Sequence, residues 1–161
     1  MVTITRADFS DPQLRTFLEA HLADLAPTAP PESRHALDYA SLQRPGTRVW
    51  TALMGDQLAG TIALTHVEPW HEELKSMRTD PLMRGRGIGA RLLTSALDDA
   101  RARGIRRVSL ETGSMEFFEA ARHLYARTGF VVTEPFGDYA EDPNSVYMTV
   151  ELAEEHVGGR R

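Results

Sequence analysis

The sequence has no cysteine, no long apolar run and no excess of positive charge, and each absence excludes a class of function. Without cysteine, the chain can form neither disulfide bonds, thiolate zinc sites nor an acyl-cysteine intermediate. The formal net charge of -5 provides no broad positive field, so we expect no nucleic-acid partner. No segment approaches the roughly 20 apolar residues of a membrane helix, and the first residues do not form a signal peptide. We therefore expect a cytoplasmic protein with no membrane partner.

The length and hydrophobic content of the chain suffice for one folded domain. The chain has 161 residues, of which 42% are hydrophobic, enough to bury a sizeable core without metals or crosslinks. The sequence contains no internal repeat or interior linker. We expect a single domain at residues 1–152, followed by a frayed C-terminal tail at residues 153–161.

Hydrophobic periodicity predicts an α/β fold with a mixed, mostly antiparallel central sheet and helices on both of its faces. A period near 3.6 marks four helices, and a period of two marks seven strands. Their order, β-α-α-β-β-β-α-β-α-β-β, contains one β-α-β crossover. The predicted segments are a strand at Val2–Arg6, helices beginning at Asp11 and Glu32, strands at Val49–Leu53, Leu58–Val67 and Glu73–Thr79, a helix from Ile88 to Gly104, a strand at Val108–Glu111, a helix from Ser114 to Gly129, and strands at Phe130–Thr133 and Ser145–Leu152.

The most informative segment is a glycine-rich loop that opens the third predicted helix, Arg84-Gly85-Arg86-Gly87-Ile88-Gly89-Ala90. Successive glycines allow the backbone to turn several N–H groups inward, and a helix N-terminus adds unpaired donors and about half a positive charge. A polyphosphate is the natural ligand of such a loop, and the arginines can add charge-assisted contacts at its rim. A tight turn with solvated arginines is the alternative, which the loop alone does not exclude.

Two other phosphate-binding motifs fit less well. A P-loop is excluded because no Gly-Lys-Ser/Thr follows the glycines. A dinucleotide-binding fingerprint is met in its relaxed form by Gly85, Gly87 and Ala90, with Glu111 at about the right distance beyond. However, only about seventy residues follow the motif, too few for the doubly wound sheet that should begin there.

The glycine-rich loop and several other segments of the chain resemble those of the GNAT superfamily of N-acetyltransferases. The acyl-CoA motif of that family is arginine or glutamine, two variable residues, glycine, one variable residue, then glycine or alanine, and Arg84 to Gly89 match it. Met77-Arg78-Thr79-Asp80-Pro81 is similar to the family's pantetheine-binding strand, and Leu124-Tyr125 with Gly129-Phe130 to its helix-to-strand signature. Segments at 30–38, 73–79, 110–114 and 142–148 resemble a bacterial branch of acetyltransferases of the YsnE kind.

The resemblance implies a GNAT-like fold with acetyl-CoA, the acyl donor, in a cleft where two neighbouring strands splay apart. Its pantetheine arm would pair like an added strand with the backbone at Met77 and Thr79. Many relatives have an asparagine seven residues before the helix tyrosine, where this chain has Phe118, so that contact is lost or replaced. The six histidines show no metal-ligand pattern, so we expect no metal. The implied acetyl-CoA contacts are Met77, Arg78, Thr79, Arg84, Gly85, Arg86, Gly87, Ile88, Gly89 and Ala90.

Direct acetyl transfer needs a base, because an alkylammonium with a pKa near 10 is protonated at neutral pH. Glu73 and Glu111 resemble glutamates that different family members use as the base, and Glu73 is slightly favoured because the alternation of strand residues predicts that it shares a face with Met77. Tyr125 resembles the general acid that protonates the departing thiolate. A salt-bridged carboxylate and a buried core tyrosine are the structural alternatives for these residues.

The acceptor side of the cleft is implied to lie against the first two helices and the loop before the last strand. Lys75 lies on the same strand face as Glu73 and can bind a substrate carboxylate, which favours a small amino-acid-like acceptor.

We expect direct transfer to a primary amine of a small molecule, without a covalent acyl-enzyme. Acetylation of a protein lysine or N-terminus, and a non-catalytic CoA-binding regulatory module, stay open, and a homodimer is one option for the assembly. The implied acceptor contacts are His35, Asp38, Lys75, Asp138, Tyr139 and Asn144.

Overall fold

A seven-stranded sheet organises the computed structural model, which describes residues 1–33 and 35–153. Its strands lie in the order β1-β2-β3-β4-β5-β7-β6, and among the strand pairs of the described residues only β4–β5 is parallel. The predicted tail lies, beyond residue 153, outside the described residues. The elements are β1 (Val2–Arg6), α1 (Pro12–Leu25), β2 (Thr47–Met54), β3 (Gln57–Glu68), β4 (His71–Thr79), α2 (Ile88–Ala102), β5 (Arg107–Gly113), α3 (Glu119–Thr128), β6 (Val131–Thr133) and β7 (Ser145–Glu151).

Two apolar clusters cover the two faces of this sheet. On one face Leu14 and Leu18 of α1 pack with residues of β2 and β3. On the other face the buried stripe of α2, which includes Leu92 and Leu93, packs on the sheet together with α3. Neighbouring strand residues point to opposite faces, so Val49 belongs to the first cluster and Trp50 to the second. The predicted mixed sheet with helices on both faces is confirmed.

The sheet opens between β4 and β5. These strands pair only from His71–Leu74 to Arg107–Leu110. Beyond Leu74, β4 stays paired with β3 as far as Thr79, and β5 stays paired with β7 as far as Gly113. Each strand therefore follows its other neighbour, and a cleft forms between the two.

A β-bulge in β4 redirects the side chains at this cleft. Lys75 lies opposite Ala63 and Arg78 opposite Thr61, so that Ser76 and Met77 together oppose one residue of β3. Ser76 adopts a left-handed backbone with φ 53°, and its carbonyl accepts a hydrogen bond of 2.8 Å from the Thr61 hydroxyl. The extra residue shifts the alternation of all side chains that follow it.

This bulge overturns the expectation that Glu73 and Met77 share a face. Met77 packs into the cluster on the α2 side. Arg78 turns towards α1, where its guanidinium forms a 2.6 Å ion pair with Asp24. Lys75 lies opposite Ala63 of the cluster on the α1 side, and Glu73, which contacts Lys75, lies on the same side. The period-two rule holds only while the strand has no inserted residue.

The prediction of a second helix, beginning at Glu32, is wrong. Residues Pro31–Ser33 and Ser41–Gln43 form short 3-10 turns, and the described residues between them have no regular structure. The His35 carbonyl accepts a 2.7 Å hydrogen bond from Lys75 Nζ, and the Asp38 carboxylate accepts one of 2.7 Å from the Ser41 N–H. These contacts take the place of helical backbone bonds, so the apolar spacing does not produce a helix.

Helix α3, which corresponds to the fourth predicted helix, begins later than predicted. Ser114 does not cap it, because its hydroxyl donates to the Pro143 carbonyl at 2.7 Å. A 3-10 turn at Glu116–Phe118 intervenes, and α3 starts at Glu119. In the described part of the chain, no helix is long and apolar enough to span a bilayer.

Candidate active site

A cavity of about 380 Å³ lies in the cleft between β4 and β5. Its walls come from α1, the segment at residues 26–36, β4, β5, α3 and the end of the loop before β7. The sheet opening therefore creates the cavity. Two irregular segments close it, the one that follows α1 and the loop before β7. Among the predicted site residues, those that line it are His35, Lys75, Met77, Glu111, Tyr125 and Asn144.

Glu111 presents a half-buried carboxylate to this cavity. It lies on β5 where that strand has parted from β4. Burial raises the pKa of Glu111, while a hydrogen bond from the Ser145 hydroxyl and the charges of His35 and Lys75 oppose that rise. Ser145 Oγ donates to Oε2 at 2.8 Å. A carboxylate with a raised pKa accepts a proton more readily than an ordinary one.

Glu73 is more enclosed than Glu111 and does not line the cavity. It accepts a hydrogen bond from the Tyr139 hydroxyl and lies 3.2 Å from the Lys75 ammonium. The expectation that Lys75 and Glu73 share a strand face is confirmed by this contact. Burial, and then the charge of Glu73, raise the pKa of Tyr139, so this phenol stays protonated as the donor. The Glu73 carboxylate is thus already engaged by two donors.

Tyr125 combines a core position with access to the cavity. Its side chain on α3 is 4% exposed, and its ring contacts Phe130 at a centroid distance of 5.7 Å. The residue also lines the cavity. Burial raises the pKa of Tyr125 well above its usual value, so the hydroxyl is protonated at neutral pH.

Phe118 gives the cavity an apolar wall where many relatives have asparagine. Its ring lies against the backbone of Gly113, and a Cβ at that glycine would lie 2.1 Å from the ring. Glycine is therefore needed at this position for the present placement of the ring. The side chain lines the cavity beside Ala121.

The glycine-rich loop presents backbone donors next to the open end of β4. Gly85 and Gly87 have φ of 81° and 76°, and a Cβ on either would meet no atom within 4 Å, so the loop faces open space. The first helical hydrogen bond of α2 runs from Arg91 N–H to the Gly87 carbonyl at 3.1 Å. The N–H groups of residues 88–90 therefore have no partner within the helix. This arrangement fits a phosphate-bearing ligand.

Gly89 has a different role from the two glycines before it. A Cβ there would lie 3.1 Å from Leu124 and 3.3 Å from Met77. Its lack of a side chain thus lets the start of α2 approach β4 and α3 closely. The backbone donors of the loop consequently lie beside Met77, which lines the cavity.

Some predicted contacts lie away from the cavity. Asp138 and Asp38 are exposed and do not line it. The Arg78 side chain lies over the Phe17 ring at 5.2 Å and pairs with α1. Thr79 and the loop at 84–87 lie outside the cavity itself.

Sequence reasoning missed His21, Ser33 and Ser145 as parts of the site. His21 and Ser33 line the cavity, and Ser145 bonds Glu111. His21 lies three residues after Leu18 and four before Leu25, on the inward face of α1, and that spacing was the available signal. No motif marks the two serines.

The family follows from comparison with known proteins. Residues 14–130 match the Acetyltransferase (GNAT) family. The chain belongs to this family. Acetyl-CoA is accordingly its acyl donor, and its activity is N-acetyl transfer to an acceptor. Within residues 1–33 and 35–153, no group of three or more His, Asp or Glu side chains is placed to hold a metal ion.

Relatives of this GNAT acetyltransferase cover most of its length. The N-acetyltransferase YsnE of Bacillus subtilis (strain 168), itself uncharacterized, is 44% identical over 145 residues, 90% of this chain and 96% of YsnE. The IAA acetyltransferase of Azospirillum brasilense is 38% identical over 137 residues, 84% of this chain and 86% of that protein. A solved structure described as an acyl-CoA N-acyltransferase from Klebsiella pneumoniae has a TM-score of 0.79 at 28% identity, covering 95% of this chain and 99% of that one.

Proposed function

We propose that this acetyltransferase transfers the acetyl group of acetyl-CoA directly to a primary amine of a small molecule, in the cavity between β4 and β5. The observation that carries the proposal is that Glu111 and Tyr125 line one cavity together with Met77. A carboxylate and a phenol hydroxyl thus line one space, which supports roles as general base and general acid. No thiol is present in the chain to form an acyl-enzyme, which supports direct transfer.

Glu111 is the base in this proposal, in preference to Glu73. Glu111 lines the cavity, and its raised pKa favours proton uptake by its carboxylate. Glu73 is held by Tyr139 and Lys75 outside the cavity lining. Glu111, directly or through a water molecule, takes a proton from the ammonium of the acceptor, and the free lone pair then attacks the thioester carbonyl carbon.

Tyr125 is the general acid. It donates its proton to the sulfur as the carbon–sulfur bond breaks, and the resulting phenolate takes up the proton that the nitrogen of the intermediate still has to lose. A backbone N–H near Met77 or Arg78 stabilises the oxyanion. Because a thiolate is a reasonable leaving group, orientation of the reactants contributes a large part of the rate. The acid therefore contributes less than the base.

The donor acetyl-CoA is held by the glycine-rich loop and the open end of β4. The unpaired N–H groups of residues 88–90, with Arg84 and Arg86 at the rim, bind the pyrophosphate. The pantetheine arm pairs with the backbone at Met77 and Thr79, where β4 has no partner on the β5 side. Phe118 and Ala121 give this arm apolar contacts in place of the family's asparagine.

Closure of the cavity favours a small acceptor over a protein substrate. The hydroxyl of Ser33, a residue that lines the cavity, donates to Asp142, and the rings of His35 and Tyr139 meet edge to face at 4.9 Å. Ser33 and His35 therefore touch the loop before β7, and His35 and Tyr139 both bond Lys75 of β4. A protein chain would have to separate these segments, whereas the cavity of about 380 Å³ is of a size for a small amine.

The test is release of free CoA thiol from acetyl-CoA over a panel of acceptors. The panel contains phenethylamine, putrescine, phenylalanine, and peptides with a free lysine or a free N-terminus. It also contains IAA, after which the relative from Azospirillum brasilense is named. Turnover with a small amine, together with its acetylated product by mass spectrometry, is the expected result. Turnover with peptides alone would replace the proposal with protein acetylation. Saturable CoA binding without any turnover would indicate a non-catalytic module.

A further inference from the structure

The Lys75 ammonium is fully engaged by the protein. It donates to the His35 carbonyl at 2.7 Å and to the Tyr139 hydroxyl at 2.8 Å, and it lies 3.2 Å from the Glu73 carboxylate. An ammonium group has three hydrogens to donate, and here three oxygens surround it. Its side chain is 11% exposed, so water contributes little to its solvation.

These three oxygens belong to three separate parts of the chain. Glu73 lies on β4, His35 follows the 3-10 turn at Pro31–Ser33, and Tyr139 lies in the loop before β7. The segment around His35 has no regular backbone pairing of its own. The contacts of Lys75 therefore help to fix the two irregular segments that close the cavity.

A substrate carboxylate could bind Lys75 only by displacing one of these acceptors. Displacing Glu73 would leave a carboxylate that is 8% exposed with one partner fewer, which is unfavourable for a buried charge. Displacing the His35 carbonyl would free the segment that lines the cavity at His35 and Ala36, and displacing Tyr139 would remove the ring that packs on His35. The charge of Glu111 in the same cavity would also repel an incoming carboxylate.

We propose that Lys75 is a positioning residue that holds the acceptor wall of the cavity closed by joining Glu73, His35 and Tyr139, and that it does not bind a carboxylate of the acceptor. The inference rests on the proposed function for the identity of the acceptor side. It assigns Lys75 a role in acceptor affinity that is independent of any carboxylate. An amine without a carboxylate should therefore depend on Lys75 as strongly as an amino acid does.

The experiment measures KM and kcat for phenethylamine, and for phenylalanine as its carboxylated counterpart, in wild type and Lys75→Met. Methionine keeps the length of the side chain and removes the charge. We expect KM for phenethylamine to rise about tenfold or more, with a smaller change in kcat, because the loosened wall binds the acceptor less well. Any effect on phenylalanine should be of similar size. An unchanged KM for phenethylamine, or an effect confined to phenylalanine, would overturn the proposal.

Tyr139→Phe is the matched second variant, since it removes one of the three contacts and keeps the ring. It should raise KM less than Lys75→Met, and the double variant should fall short of the product of the two single effects. Independent effects that multiply would count against a shared role. Binding of acetyl-CoA to each variant, measured by calorimetry, verifies the folded state.

Amide hydrogen exchange tests the role of Lys75 independently of the acceptor. In Lys75→Met, exchange should accelerate at residues 35–40 and 134–144 and stay unchanged in α2. Unchanged exchange in both segments would overturn the positioning role. If wild type turned over no amine while exchange changed as expected, the proposed function would fail and the positioning role would stand.

Discussion

At the scale of single residues, we expect the environment of Glu111 to determine the pH dependence of the reaction. Burial raises its pKa, and the hydrogen bond from Ser145 counteracts that rise. Ser145→Ala removes this counteracting contribution, so the pKa should rise further and the acidic limb of the kcat/KM profile should move to higher pH. Ser145→Thr, which keeps a hydroxyl, should retain the wild-type profile. An acidic limb that stays in place in the alanine variant would exclude Glu111 as the titrating base.

Tyr125 gives a second prediction at this scale. Tyr125→Phe removes the acidic proton and keeps the ring that packs on Phe130. Turnover should fall roughly 10- to 100-fold, at or below the usual effect of a general acid because the leaving group is a thiolate. Affinity for acetyl-CoA, measured by calorimetry, should be retained. Wild-type turnover in this variant would leave Tyr125 as a core residue alone.

His21 couples folding to pH. Burial, with a smaller contribution from the Arg78 guanidinium, lowers the pKa of His21 from 6.5 to about 4. Since the folded state favours the neutral ring, the contribution of His21 to stability is complete above about pH 6.5 and is lost as the pH falls towards 4. Between pH 7.5 and pH 5 the loss should be about 2 kcal/mol.

Urea unfolding at these two pH values measures the effect. His21→Gln has no ring to titrate, so its free energy of unfolding should decrease less than that of wild type over the same interval. An equal decrease in both proteins would show that other groups account for the acid sensitivity.

At the scale of elements, the end of β5 and the turn before α3 depend on one close contact. A Cβ at Gly113 would lie 2.1 Å from the Phe118 ring, so Gly113→Ala should destabilise the protein by about 1–3 kcal/mol through overpacking. In a Phe118→Ala background the same substitution should cost much less, because the ring is gone. Urea unfolding of the four proteins tests this, and equal costs in both backgrounds would contradict the assigned contact.

Periodicity predicted the regular elements well and the irregular ones poorly. The apolar stripe of α2 and the alternation of β2 are local patterns, so they could be read from the chain alone. The Ser76 bulge could not, because nothing in the sequence around it distinguishes an inserted residue from regular alternation. The apolar residues from Glu32 to Leu42 have helical spacing in the sequence. In the structure, however, Lys75 Nζ of β4 donates a hydrogen bond to the His35 carbonyl. A contact between distant residues thus overrides a local preference.

At the scale of the whole molecule, the cleft could be anticipated only from resemblance, and its closure could not be anticipated at all. The motif at Arg84–Gly89 and the order of elements identify the family, and with it the parted strands. The bonds that close the cavity join residues far apart in sequence, such as Ser33 and Asp142. No spacing rule connects such residues, so the engagement of Glu73 and Lys75 became visible only in the structure.

In the proposed mechanism, the acceptor amine loses its proton to Glu111 in the cavity between β4 and β5. The most direct measurement is kcat/KM for phenethylamine at saturating acetyl-CoA in wild type, Glu111→Gln and Glu73→Gln. We predict a decrease of about 100-fold or more for Glu111→Gln, with acetyl-CoA affinity unchanged, and a clearly smaller decrease for Glu73→Gln. Near wild-type activity in Glu111→Gln, with the large loss in Glu73→Gln, would contradict the account.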